Sequence, residues 1–98
     1  TNVSAMVSGK RVVVTGAAGS IGKQLCTQIL EFEPSELVCV DHGENCLFYL
    51  QQEIRDMQCT VPCFYYCSDV TDRDKVEKIF SHHRPEIVFH AAAHKHVP

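Results

Sequence analysis

A chain of 98 residues with 45% hydrophobic and 21% charged side chains has the makeup of one compact domain with a modest core, which excludes a disordered segment. A formal charge of -3 and a pI near 6.0 leave no basic face for a phosphate backbone, so no nucleic-acid partner is expected. No apolar run approaches the ~20 residues that span a bilayer, and the opening residues, TNVSAMVSGK, hold no signal-peptide core.

Residues 1–9 read as a linker, with a single domain expected over residues 10–98. RVVVTG, Arg11 to Gly16, is a β-branched run closed by glycine and predicts a buried strand. A first helix follows from about Ser20 to Phe32, with Ile21, Leu25, Cys26, Ile29 and Leu30 on one apolar face and Glu33-Pro34 as its stop. ELVCVD, Glu36 to Asp41, is the second strand. The second helix spans about Glu44 to Met57, with Leu47, Leu50, Ile54 and Met57 at helical spacing. CFYYCSD, Cys63 to Asp69, is the third strand. Thr71 and Asp74 have capping-box spacing for a third helix that turns Val76, Ile79 and Phe80 to the sheet. Arg84-Pro85 ends it, and EIVFHAAA, Glu86 to Ala93, is the fourth strand.

Apolar strands alternating with helices of this length form a parallel sheet covered on both faces, with right-handed crossovers. The expected class is α/β, a doubly wound parallel sheet in strand order 3-2-1-4. The fourth strand leaves that pattern half-built, so the chain is expected to be the N-terminal portion of a larger fold, truncated after this strand. Its apolar edge could pair with a second copy as a homodimer.

Between the first strand and the first helix stands TGAAGSIG, in which Gly16, Gly19 and Gly22 are spaced G-x-x-G-x-x-G. Glycine serves there for the tight turn, for close approach to a pyrophosphate and for packing helix on strand. The helix amides around Ala18, Ser20 and Ile21 then face an anion. Asp41 stands nineteen residues after Gly22, where a carboxylate accepts from ribose hydroxyls and repels a 2′-phosphate, favouring NAD over NADP. His42 beside it softens that repulsion. Asp69 and Val70 follow the third strand, where an adenine amino group and ring would be met. Ala91, Ala92 and Ala93 are small enough for a cofactor to lie against the backbone. Asp41 and Asp69 can also serve as turn and cap residues.

The six cysteines, Cys26, Cys39, Cys46, Cys59, Cys63 and Cys67, sit inside apolar patterns, where a free thiol acts as a small hydrophobe; a reduced, cytoplasmic chain is expected. His82, His83, His90, His94 and His96, with Cys63 and Cys67, could be read as a metal module. No C-x-x-C occurs, and His82 and His83 suit the end of a helix dipole, so no metal is expected.

VVVTGAAGSIGKQL, VCVDHGENCLFYLQQEI, CSDVTDRDKVEKIF and RPEIVFHAAAHKHVP together resemble the extended short-chain dehydrogenase/reductase superfamily. Within it they are most similar to the nucleotide-sugar 4,6-dehydratases and epimerases of bacterial capsule, O-antigen and glycan synthesis. HAAAHKHVP is the most specific of these segments. The resemblance implies a Rossmann-like fold and bound NAD. The implied chemistry takes a hydride from C4 of a UDP-N-acetylhexosamine, removes water across C5 and C6, and returns the hydride to C6. It also implies that Lys95 lies near the nicotinamide and the substrate, and it allows a longer protein attached to the inner membrane through other segments. The family commonly uses a Tyr-x-x-x-Lys pair as its base. Here Tyr49, Tyr65 and Tyr66 are followed four residues on by Glu53, Asp69 and Val70, so this stretch is not expected to turn over substrate. A stand-alone NAD-binding sensor shares every cofactor residue.

Overall fold

The computed structural model describes residues 3–69 and 71–91. β1 (Arg11–Thr15), β2 (Glu36–Asp41), β3 (Cys63–Cys67) and β4 (Ile87–His90) form one parallel sheet in the order β3-β2-β1-β4. The helices are α1 (Val3–Val7), α2 (Ser20–Glu31), α3 (Glu44–Asp56) and α4 (Arg73–His83). The strand order and class are those the sequence predicts. Val12, Val13 and Val14 are wholly buried because β1 lies between β2 and β4 and is covered on both faces.

Strand side chains alternate between two layers. Val12, Val14, Leu37 and Cys39 pack with Cys26, Ile29 and Leu30 of α2 and with Leu47, Leu50 and Ile54 of α3. Val13, Val38 and Val40 face the other way, against Ile79 of α4. Helices therefore cover both faces, with α2 and α3 on one and α4 on the other. In register, Thr15 lies opposite Val40 on one side and His90 on the other, while Asp41 pairs with Cys67. The carboxyl ends of all four strands thus share one edge, where a parallel sheet binds its ligands.

Several expectations need correction. Residues 3–7, taken as part of a linker, form α1, and Val7 is fully buried in the core. Ile21 is 50% exposed rather than on the buried face of α2, because it stands in the first turn beyond the sheet edge. Met57 is 38% exposed at the C-cap of α3. Strand β3 stops at Cys67. No Thr71–Asp74 box caps α4. Asp72 is the N-cap and accepts from the Lys75 N–H at 3.3 Å, since Thr71 is engaged with Asp69. Arg84 closes α4 in the left-handed region at φ 48°, its N–H donating to Phe80 O at 2.8 Å ahead of Pro85.

His83 does more than face a helix dipole. It is 6% exposed, with Nε2 at 2.6 Å from the Tyr66 hydroxyl and Nδ1 at 2.9 Å from Glu36 Oε2. The imidazole joins the last turn of α4 to β2 and β3 at once.

Candidate functional site

β1 ends at Thr15, and the chain turns at Gly16, whose φ of 68° lies in the left-handed region open to glycine at little cost. The turn closes with the Gly19 N–H donating to Gly16 O at 3.3 Å, and Ala17 N–H is bound to Val40 O at 3.1 Å, which ties the loop to β2. A Cβ at Gly22 would collide with the Gly16 carbonyl oxygen and stand 2.8 Å from two backbone atoms of Ala17. The third glycine therefore lets α2 lie directly on the turn.

Gly19 is the N-cap of α2 and supplies no side-chain acceptor. The first amides of α2 are left for another partner. Gly16, Gly19, Ser20, Ile21 and Gly22, together with Ala91 after β4, line a cavity of about 130 Å³. Larger hollows exist, one of about 380 Å³ along α4 at Asp74, Glu77, Lys78 and Ser81, and one of about 270 Å³ at the ends of α2 and α3. Neither is lined by a glycine-loop residue, so volume does not choose the site. The uncapped amides do.

Asp41, 8% exposed, is the second element. Its Oδ1 accepts from the Ala18 N–H at 3.3 Å and its Oδ2 from the Gly43 N–H at 2.9 Å, while its own carbonyl accepts from Ser68 N–H at 2.8 Å. One residue thus binds the loops after β1, β2 and β3. An ionised carboxylate offers about four acceptor positions, so two remain for ligand hydroxyls. Ala18 gives its N–H to Asp41 and is itself buried, away from the cavity lining.

Asp69 begins the loop after β3. Its Oδ1 accepts from the N–H and the hydroxyl of Thr71, each at 2.9 Å, and these bonds hold its carboxyl below the usual aspartate value. His42 is exposed, and its carbonyl lies 3.6 Å from Cys67 Sγ. At the end of β4, His90 is exposed with its ring nitrogen Nδ1 at 3.0 Å from the Thr15 hydroxyl. Val70, Ala92, Ala93 and Lys95 lie outside the described residues, as do His94 and His96. Among the described residues, no group of three or more His, Cys, Asp or Glu is placed to hold a metal, and no helix is long and apolar enough to cross a membrane.

The structure thus gathers Gly16, Gly19, Ser20, Ile21, Gly22 and Ala91 in one hollow, with Asp41, His42 and Asp69 on the neighbouring loops of the same edge. Sequence reading missed Gly43, and its signal was present. In DHG the aspartate side chain can bond the N–H two residues on, as short polar side chains do in turns.

A family model described as "Polysaccharide biosynthesis protein" matches residues 12–98. The "Probable polysaccharide biosynthesis protein EpsC" of Bacillus subtilis is 41% identical over 99 residues, covering 100% of this chain and 17% of that protein. A UDP-N-acetylglucosamine 4,6-dehydratase (inverting) of Campylobacter jejuni is 31% identical over 95% of this chain and 26% of its own length. The solved structure of Pen from Bacillus thuringiensis superposes with a TM-score of 0.77 at 31% identity, over 92% of this chain and 26% of that one. The chain spans roughly a sixth to a quarter of the length of these proteins.

Proposed function

The chain belongs to the polysaccharide biosynthesis protein family, and from that membership and the glycine-loop geometry we propose that it is the NAD-binding portion of a nucleotide-sugar 4,6-dehydratase or epimerase. The substrate proposed is a UDP-N-acetylhexosamine, as the name of the Campylobacter relative supports. The setting proposed is surface-polysaccharide or glycan synthesis in the cytoplasm.

The observation that carries this reading is the convergence of the uncapped start of α2 with the Asp41 carboxylate on one sheet edge. The residues fit a dinucleotide. A Cβ at Gly22 would force α2 off the turn, the free amides of α2 suit a pyrophosphate, and Asp41 keeps two acceptor positions for ribose hydroxyls. When bound, the dinucleotide supplies reversible hydride acceptance; these residues supply the binding. Gly16, Gly19, Ser20, Ile21 and Gly22 are proposed to hold the pyrophosphate and Ala18 to brace Asp41. His42, Asp69 and Val70 are proposed for the adenosine end, with Ala91, Ala92, Ala93 and Lys95 on the nicotinamide side. Because Asp41 is negative at the ribose position, NAD is proposed over NADP.

Calorimetric titration of the folded chain with NAD and with NADP tests this. NAD is expected to bind saturably and more tightly than NADP, and Asp41→Ala is expected to weaken NAD about tenfold while narrowing the gap. A chain shown to be folded that binds neither overturns the proposal. A second copy docked along the β4 edge is proposed as a further partner. Sedimentation of a monomer at high concentration overturns that part alone.

A further inference from the structure

Thr15 and His90 are register partners at the carboxyl ends of β1 and β4. Val13 and Val88, two residues earlier on each strand, pack on the α4 side, so Thr15 and His90 face that side too. The Thr15 hydroxyl is 2% exposed with its residue, lies 3.0 Å from His90 Nδ1 and is 3.4 Å from Phe89 O. His90 is exposed, and its Nε2 has no protein partner among the described residues. Among the described residues, the ring is therefore held through one nitrogen alone.

The place matters as much as the geometry. β1, β2 and β3 are laid down in one direction and β4 on the opposite side of β1, so the β1–β4 junction is where the winding reverses. Open parallel sheets take their ligands at such a junction. The glycine cavity and Asp41 occupy the β1–β2 side of it. A dinucleotide whose pyrophosphate and adenosine ribose are held there must send its other half over β4, which ends at His90.

We propose that His90 is a positioning residue for the nicotinamide half of the dinucleotide, its Nε2 bonded to a ribose hydroxyl while Thr15 fixes the ring through Nδ1. This rests on the dinucleotide reading above. A ribose hydroxyl both donates and accepts, so it can meet either neutral tautomer of the imidazole. Thr15 makes the arrangement specific: a buried hydroxyl against Nδ1 sets the plane of the ring.

The test compares NAD with ADP, which shares the adenosine and pyrophosphate but ends before the second ribose. Both are titrated calorimetrically into the wild-type chain, His90→Phe and Thr15→Val, and the His90 side-chain nitrogens of the wild type are followed by ¹⁵N NMR. The Nε2 resonance is expected to shift with NAD and stay still with ADP. His90→Phe is expected to weaken NAD about three- to tenfold, the size of one lost hydrogen bond, and to leave ADP unchanged. Thr15→Val is expected to do the same to a smaller degree. Equal losses for both ligands, or an Nε2 unmoved by bound NAD, overturn the inference while leaving the dinucleotide reading intact. A folded wild-type chain that binds neither ligand overturns both. Should His90→Phe fail to fold, the wild-type resonance decides alone.

Discussion

Gly22 lies so close against the Gly16 carbonyl that no side chain fits between α2 and the turn beneath it. In most exposed helix positions, alanine in place of glycine stabilises by about 1 kcal/mol. Here the sign reverses. Gly22→Ala is expected to lower stability by about 1–3 kcal/mol through overpacking, read as a lower urea midpoint at unchanged m-value. An increase would show that helix and turn are not in contact.

His83 is expected to contribute more than a surface histidine would. His83→Leu leaves Tyr66 and Glu36 without their shared partner and is expected to cost about 1–3 kcal/mol. Combined with Tyr66→Phe, the losses are expected to be less than additive in a double-mutant cycle, because the two groups share one bond. Strict additivity would mean the 2.6 Å contact contributes nothing.

Asp69 gives a titration that can be read by residue. The Thr71 N–H, and then the Thr71 hydroxyl, favour its ionised form and depress its folded value. A depressed folded value makes the contribution present above the unfolded value of about 3.9 and lost as pH falls through the folded one. The Asp69 carboxyl carbon is expected to titrate below the ordinary aspartate range by NMR, and Thr71→Val to raise the midpoint part of the way. The backbone bond, the larger cause, survives that substitution. A wild-type midpoint at or above the ordinary value would rule out the loop geometry.

The six cysteines are all free thiols, and they differ in reach. Burial pushes the Cys63 thiol up to about 11, and Cys39 is raised by its contact with Cys26, 3.9 Å away, and by burial. Cys46 and Cys67 are exposed. Iodoacetamide at about pH 8 is expected to label Cys46 and Cys67 first, with Cys26 and Cys39 labelled only after unfolding, as read by peptide mass mapping. Early labelling of Cys39 would contradict the core described above.

The sheet was legible because its code is local. A β-branched run such as Val12–Val14 reads as a buried strand without knowing its neighbours, and β2 was read to the residue. Helix faces were legible where apolar spacing runs for several turns, as at Leu47, Leu50 and Ile54. α1 was not, because a helix of five residues is too short to show a period. The candidate site divides in the same way. The glycine triplet and Asp41 stand out as residue types at a spacing, whereas the bond from Asp41 to Ala18 crosses 23 residues and exists only once β1 and β2 are in register. Thr71 reads as a cap by spacing, but Asp69 two residues earlier competes for it. His83 was readable after all, since Val76, Ile79 and His83 follow helical spacing and the imidazole takes the third place on that stripe.

The two layers of core are unequal. Among the described residues, thirteen buried hydrophobic residues pack on the α2–α3 side and four on the α4 side. Local opening follows the layer with fewer buried contacts, so amide protons of α4 should exchange well before those of α2. The glycine loop belongs to the densely packed side and the Asp69 loop leads into the sparse one. A nucleotide lying along this edge would meet a rigid seat for its phosphates and a yielding one for its base, with the tolerance for imperfect ligands confined to the second.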